Sequence, residues 1–520
     1  MSADAQQPRP KEACITCKTR KKKCDKQIPS CGYCVLKHLD CRYIATPRRR
    51  GYPSPGTDSS SSHTGPDRGS LTAQIDDGAV SSNSTLLDTG ISSRPAALHR
   101  AHIESLNEIH AEVTTLIRST GEFVDDLTSL YFRTFHTHLP IISRTRFQDS
   151  LMTSGATPAA DASVLLLVIC LIAYIPNREI GGTVITQNIS RQSLYLATKA
   201  LIAQVQGSMK PSVALIQATL LLATYEYASG RPEVGLATIA SCARLAYTAR
   251  VHIRQSEPVS GAARLAAEEA WNTWWGIIIS ERAFVCEAST PTQPLTTTFP
   301  PETTRLPLDR ALLDRADTLA PDAIPDIPIS ACLTATHVGG FGRAAQICCL
   351  VDRTIKAMAM SMSEGIQTAL PLLENLDATL QSSLGMILSH GLGRSWHYCT
   401  ALAVTLRALY TLHNHIRALP DNPISINFRS LAEWKEKSLA ALDATTTMAL
   451  DMAKWHYATL ARDGPVEISP IQIYVVRAAM EHLRARRVSF DGEAECPWPQ
   501  TAEQDLGAYL KRIEGQWVAS

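Results

Sequence analysis

Six cysteines fall within 28 residues near the N-terminus, and they repeat one spacing. Residues 14–24 read CITCKTRKKKC and residues 31–41 read CGYCVLKHLDC. Both copies have the pattern Cys-x2-Cys-x6-Cys, with six residues between them. A segment this short has no room for an apolar core, so either disulfides or a metal must hold it together.

The start of the chain favours metal over disulfides. The first 13 residues, MSADAQQPRPKEA, contain no apolar segment, which predicts that a signal peptide is absent and that the protein is intracellular. Thiols stay reduced inside the cell. In the Cys-x2-Cys spacing both sulfurs of a turn can reach one ion, as in structural zinc sites.

The number of cysteines restricts the kind of metal site. One tetrahedral zinc would leave two of the six thiolates unused, and two separate zincs would need eight ligands. Two zinc ions that share two thiolates need six. The duplication favours this arrangement, with Cys14 and Cys31 at equivalent bridging positions. We therefore predict two Zn²⁺ ions per chain, bound by Cys14, Cys17, Cys24, Cys31, Cys34 and Cys41.

Charge is concentrated at the same end of the chain. Residues 1–50 hold 13 Lys and Arg against four acids, a formal charge of +9, whereas the whole chain has +1. The remaining residues therefore sum to −8, and a basic end on a mildly acidic body indicates a polyanionic partner. A short helix should follow the second cysteine of each copy. Lys18–Lys23 reads KTRKKK and Val35–Asp40 reads VLKHLD, so only the first helix suits the DNA major groove.

The full six-cysteine spacing with a basic first half resembles the fungal Zn(II)2Cys6 binuclear-cluster transcription factors. Pro29 and the run Lys23-Cys24-Asp25 also match that family. The resemblance implies a nuclear, zinc-dependent, sequence-specific regulator of RNA polymerase II transcription that binds double-stranded DNA at CGG-like half-sites. It places base contacts at Arg20 and Lys21, and we expect Lys18, Lys22, Lys23 and Lys26 to contact phosphate or solvent. The alternative for the lysine run is a solvated charge block or nuclear-import signal.

The segments that flank the cysteine module predict little structure. Residues 46–97 are rich in Ser, Pro, Gly, Thr and Asp, and we predict a disordered linker there, as for residues 1–13. The cysteine module itself is assigned to residues 14–45. Leu106, Ile109, Val113 and Leu116 give only about two heptads, which favours the first amphipathic helix of the next domain over a coiled coil. Homodimerisation stays open.

The remainder, residues 98–520, has the periodicity of successive helices. Residues 212–252 contain two long apolar-periodic stretches around Ser229–Pro232, and Pro232 suits a first helical turn. The longest apolar run, Ala162–Ile175, is 14 residues, too short to span a membrane and typical of a buried helix. We predict a mostly α protein: a small zinc cluster, a disordered linker and a large all-α domain of helical pairs.

This body also resembles the fungal-specific transcription factor, or middle-homology, domain over roughly residues 120–420. The matching stretches are Leu130–Phe147, Tyr225–Tyr247 and Glu268–Arg282. The last reads EEAWNTWWGIIISER and has Glu281 where the family usually has aspartate. We interpret Trp274 and Trp275 as buried anchors, with an effector pocket as the alternative. The resemblance implies a regulatory domain that binds a coregulator or a small-molecule effector.

Catalytic motifs do not emerge from this body. Gly340–Ala345 fits the pattern Gly-x-Gly-x-x-Ala. The residues before it, ACLTATHV, do not favour a β-strand, so a dinucleotide-binding site is disfavoured. His390, His397, His413 and His415 lack metal-ligand spacing, and the other eight cysteines suit reduced packing positions. We therefore predict that the protein is not an enzyme. A zinc-bearing enzyme and a redox or metal-storage protein are the alternatives.

The target genes are suggested by the resemblance alone. Members of this family commonly regulate a secondary-metabolite gene cluster, and the alternative is genes of primary metabolism, nutrient use or transport.

Overall fold

The chain divides between residues 85 and 86 into two units. In the first unit, the computed structural model describes residues 13, 18, 23–27, 30–36 and 41. In the second unit it describes 106, 108–152, 157–175, 179–180, 183–184, 189–254, 260–288, 293–333, 335, 337–391, 398–420, 428–463, 468–489 and 498–517. The linker predicted at 46–97 lies outside these residues, as does the predicted disordered N-terminus except for Ala13.

The described residues are mainly helical, as the sequence predicts. The first unit contains α1 (Gly32–Leu36). The second unit contains α2 (108–118), α3 (Val124–Arg133), α4 (Arg144–Met152), α5 (Ala160–Ala173), α6 (Arg191–Ser208), α7 (Val213–Ala228), α8 (Pro232–Thr248), α9 (Gly261–Val285), α10 (Arg310–Leu313), α11 (Gly340–Ser363), α12 (Ile366–Gly391), α13 (Cys399–Ala418), α14 (Phe428–Asp463), α15 (Ile471–Ser489) and α16 (Ala502–Glu514). A short antiparallel hairpin, β1 (Glu179–Ile180) and β2 (Thr183–Val184), pairs Glu179 with Val184.

Helices α5 to α9 form the first half of the helical unit, and successive members pack on one another. Helix α5 covers most of the predicted 14-residue apolar run and is buried along nearly its whole length. Helix α8 begins at Pro232, as predicted, after a turn in which Gly230 has a φ of 79°. A Cβ on Gly235 would lie 3.0 Å from the Ala223 carbonyl, so the glycine lets α7 and α8 approach closely.

The apolar residues of α2 are buried in the chain's own core. Ile109 and Val113 are inaccessible to solvent, and Leu106 and Leu116 pack against the same core. The heptad-like spacing therefore belongs to an amphipathic helix of this unit, as predicted, and not to an exposed seam for a second chain.

Helices α11 to α16 form the second half of the helical unit. Helix α13 packs on α11, α12, α14 and α15, and α16 packs on α14 and α15. The chain end returns to the start of the unit, where Trp517 lies 5.7 Å from the Phe135 ring. One core thus runs from Ile109 to Trp517. No helix among the described residues combines the length and apolar character that a membrane crossing requires.

The scattered cysteines are mostly packing residues. Cys170, Cys242, Cys286, Cys348 and Cys399 are buried thiols, and Cys349 is half-buried. Cys332 differs from the expectation because it is exposed, and Cys496 lies outside the described residues.

Candidate zinc cluster and nucleic-acid interface

The described cysteines of the repeated motif converge on one point. The Sγ atoms of Cys31, Cys34 and Cys41 all lie within 4.8 Å of one another. Cys31 immediately precedes α1 and Cys34 lies in its first turn, so a Cys-x2-Cys spacing brings both sulfurs to the same side. Both side chains are buried, and Cys24 and Cys41 are half-buried.

Cys31 belongs to two groups of possible ligands. Its Sγ also lies within 4.8 Å of the Cys24 Sγ and an Asp25 carboxylate oxygen. A sulfur between two such groups is where a thiolate shared by two ions would lie. Cys14 and Cys17 lie outside the described residues, so the two-fold related position of Cys14 stays a prediction.

Backbone amides support this arrangement. The Cys31 amide donates to the Cys41 Sγ at 3.2 Å, which stabilises charge on that sulfur. The Gly32 amide lies 3.0 Å from each carboxylate oxygen of Asp25. The first contact joins the two ends of the second copy, and the second joins the residue that follows the first copy to the second copy.

The donor set suits zinc. Four described thiols cluster without a disulfide among them, and thiolates are the preferred ligands of structural zinc. The thiols of Cys31, Cys34 and Cys41 would hold one ion, and Cys24 and Cys31 would contribute to the second. Bound zinc would supply most of the folding free energy of this module, because the buried cluster among its described residues contains little besides cysteine.

The predicted DNA contacts are described only in part. Lys18 is helical and exposed, and Lys23 is exposed beside Cys24. Arg20, Lys21 and Lys22 lie outside the described residues. Their assignment to bases or phosphates therefore stays a prediction.

In the helical unit, Trp275 and its neighbours on α9 are structural anchors. Trp275 is fully buried, and its indole donates to the Arg305 carbonyl at 3.1 Å. Trp274 is also buried. Glu268 holds the Arg305 guanidinium through two hydrogen bonds of 2.7 and 2.6 Å. Sequence reasoning identified the tryptophans but missed this ion pair, because the two partners lie 37 residues apart.

The Glu281-Arg282 pair is buried in the same region. Glu281 accepts from the Thr296 amide at 2.6 Å, and Arg282 bonds Asp352 at 3.0 Å. These contacts tie α9 to the following loop and to α11. The longer glutamate therefore occupies a structural position. Beside it a cleft of about 200 Å³ is lined by Glu233, Leu236, Ala237, Ala240, Glu281, Val285, Gln293, Pro294, Leu295 and Thr296.

The remaining motifs have structural roles where they are described. Gly340 begins α11, and the described residues between 329 and 339 form no strand that would lead into it, which agrees with the rejection of a dinucleotide site. His413 is buried and bonds the Ser438 hydroxyl at 3.1 Å. His397 lies outside the described residues.

Two family domains match the chain. The fungal Zn(2)-Cys(6) binuclear cluster domain matches residues 12–51, and the fungal specific transcription factor domain matches residues 128–287. The second match is shorter than the resemblance at residues 120–420. A similar protein is "Transcription factor BOA15" of Botryotinia fuckeliana (strain B05.10), 27% identical over 151 residues, which cover 29% of this chain and 77% of that protein. No solved structure is significantly similar.

These matches define a class, the DNA-binding transcription regulators with a zinc cluster. Within that class, the chain matches the fungal Zn(2)-Cys(6) cluster domain and the fungal specific transcription factor domain, and both predicted resemblances are confirmed. Its cluster domain binds two zinc ions.

Proposed function

We propose that this chain is a nuclear regulator of RNA polymerase II transcription that reads CGG-like half-sites with the basic helix of its first cysteine copy. The observation that carries the proposal is the duplicated Cys-x2-Cys-x6-Cys motif, whose first copy alone is filled with Lys and Arg. The clustering of Cys24, Cys31, Cys34 and Cys41 supports these four as zinc ligands, and the duplicated spacing extends the proposal to Cys14 and Cys17.

Lys21 provides the sharpest test of base reading. Binding of the full chain to CGG-containing and scrambled duplexes is measured at fixed salt. We expect Lys21→Ala to reduce discrimination for CGG by about 1–3 kcal/mol, the scale of one base contact. Lys37→Ala is a matched control, because Lys37 occupies the second copy, which carries no basic block. Equal weakening of Lys21→Ala on both duplexes would make Lys21 a phosphate contact.

Our proposals for the target genes and the dimer state rest on what is common among similar transcription factors. We propose a pathway-specific regulator of a secondary-metabolite gene cluster, with primary metabolism, nutrient or transport genes as the alternative. Transcript profiles of a deletion strain separate the two, because affected genes adjacent on one chromosome segment favour a cluster.

A homodimer remains a proposal, which sedimentation of the full chain with and without paired half-sites would test.

The helical unit offers a place for an effector. The cleft beside Glu281 combines apolar walls, such as Leu236 and Val285, with the polar side chains of Gln293 and Thr296. This lining suits a small molecule with an apolar body and a hydrogen-bonding group. We expect a metabolite extract to raise the Tm of the wild-type chain but not of Leu236→Trp, which fills the cleft. An equal rise in both would place the effector elsewhere.

A further inference from the structure

Asp25 links the two cysteine copies through a backbone contact. Its two carboxylate oxygens each lie 3.0 Å from the Gly32 amide. Asp25 directly follows Cys24 in the first copy, and Gly32 directly follows Cys31 in the second. A bond between these neighbours therefore holds the two cysteines near each other.

Gly32 fits this contact because it has no side chain. A Cβ at that position would lie 2.7 Å from the Asp25 Oδ2, closer than van der Waals contact allows. Any other residue at position 32 would require the Asp25 carboxylate to shift from its present position. The aspartate and the glycine thus form one device, which we call the Asp25–Gly32 clamp.

The backbone beside the clamp provides independent support. Lys26 has a φ of 59°, the left-handed region that a residue with a side chain rarely adopts. Such a conformation persists only where the surrounding structure imposes it. The clamp supplies a constraint of this kind, because it fixes the residue just before Lys26 against the second copy.

The metal geometry relates the clamp to zinc. The Cys24 Sγ, an Asp25 carboxylate oxygen and the Cys31 Sγ lie within 4.8 Å of one another. Two Zn²⁺ ions and six thiolates would sum to a charge of −2, so a carboxylate beside them is repelled. Asp25 is exposed, and water screens that repulsion. Its position is therefore better explained by the Gly32 amide than by direct metal ligation.

We propose that Asp25 is a positioning residue of the zinc cluster: by binding the Gly32 amide it sets Cys24 against Cys31, the sulfur shared between the two ions, without ligating zinc itself. This inference rests on the proposed ligand set. It adds a second link between the two copies, besides the shared thiolates.

The test uses the full chain and a competing chelator. Loss of an outer contact to a metal ligand typically costs 10–100-fold in metal affinity. We expect Asp25→Ala and Gly32→Ala each to lower the apparent zinc affinity by about that factor. Asp25→Asn, which keeps one acceptor oxygen, should recover part of the loss. Asp4→Ala, which changes the charge equally ten residues before the motif, should bind zinc like the wild type.

The double variant Asp25→Ala/Gly32→Ala decides whether the two residues act together. If they form one clamp, the apparent zinc affinity of the double variant is no lower than that of either single variant, because all three variants lose the same contact. Losses that multiply would mean two independent roles and would overturn the proposal.

Zinc X-ray absorption separates positioning from ligation. We expect only sulfur neighbours at about 2.3 Å in both the wild type and Asp25→Ala. An oxygen neighbour at about 2.0–2.2 Å that disappears in Asp25→Ala would make Asp25 a ligand and refute the positioning role. A wild-type chain without two zincs would instead refute the six-cysteine ligand set, and the clamp proposal with it.

Discussion

At the scale of single residues, Cys31 has the most demanding position among the described cysteines. Its sulfur belongs to both groups of possible ligands, and its own amide bonds the Cys41 sulfur. A residue in the middle of two sites affects both when it is removed. Cys41, in contrast, belongs to one group of described ligands.

We expect Cys31→Ala to lose both zinc ions, because it would remove the sulfur that we propose both ions share. Cys41→Ala should keep about one zinc per chain, since it removes a ligand of one ion. Elemental analysis after dialysis against a weak chelator measures the difference. Two zincs retained in Cys31→Ala would exclude a shared thiolate at this position.

Trp275 is the corresponding anchor of the helical unit. It is 0% exposed, whereas Trp455 on α14 is 42% exposed. We expect Trp275→Ala to lower the free energy of unfolding by about 3–5 kcal/mol, through lost packing and a large cavity. Trp455→Ala should cost less than about 1 kcal/mol. Urea unfolding measures both, and equal effects would rule out the anchor role.

At the scale of elements, helix α9 is buried on every side along its second half, and one glycine permits that. A Cβ on Gly276 would lie 3.0 Å from side-chain atoms of Ile141 and Leu220. Helix α6 contains the contrasting Gly207, where a Cβ would meet nothing within 4 Å. Close packing therefore requires a glycine at position 276, whereas the space around position 207 would admit a side chain.

We expect Gly207→Ala to stabilise the protein by up to about 1 kcal/mol, because alanine favours the helix and the space is open. Gly276→Ala should instead destabilise it by about 1 kcal/mol or more, since its neighbours must move. Urea midpoints of the two variants give the comparison. Similar gains in both would mean that the core around α9 has room to adjust.

At the scale of the whole molecule, the zinc cluster and the helical core are built from separate residues. The core from Ile109 to Trp517 includes none of the described cluster cysteines. We expect a strong chelator to abolish binding to CGG duplexes while helical circular dichroism falls only slightly. A cooperative loss of the whole helical signal on chelation would show that zinc also stabilises the large unit.

The stability of the large unit should also depend on pH. Burial lowers the pKa of His136 to about 3 and that of His456 to about 4, below the usual value of about 6.5. Below pH 6.5 the unfolded chain binds protons that the folded chain does not. The free energy of unfolding should therefore fall as pH drops from about 6.5 to 4, by about 1 kcal/mol per pH unit for each histidine.

Urea unfolding at several pH values tests this. His456→Gln keeps a polar side chain beside the Tyr509 hydroxyl but removes one titrating group, so its stability should fall less steeply on acidification. An unchanged slope would mean that His456 is protonated in the folded protein. Above pH 6.5 the two proteins should show the same pH dependence from this site.

The sequence by itself determined the class of this protein and several of its helices. The cysteine spacing is local, and so is the apolar periodicity that predicted α5, α7 and α8. Only the tertiary structure decided which groups meet outside regular helical spacing: Arg305 with Glu268, Asp25 with Gly32, and Trp517 with Phe135. The periodicity of the sequence does not encode such pairs, because they form only when folded helices and turns pack against one another.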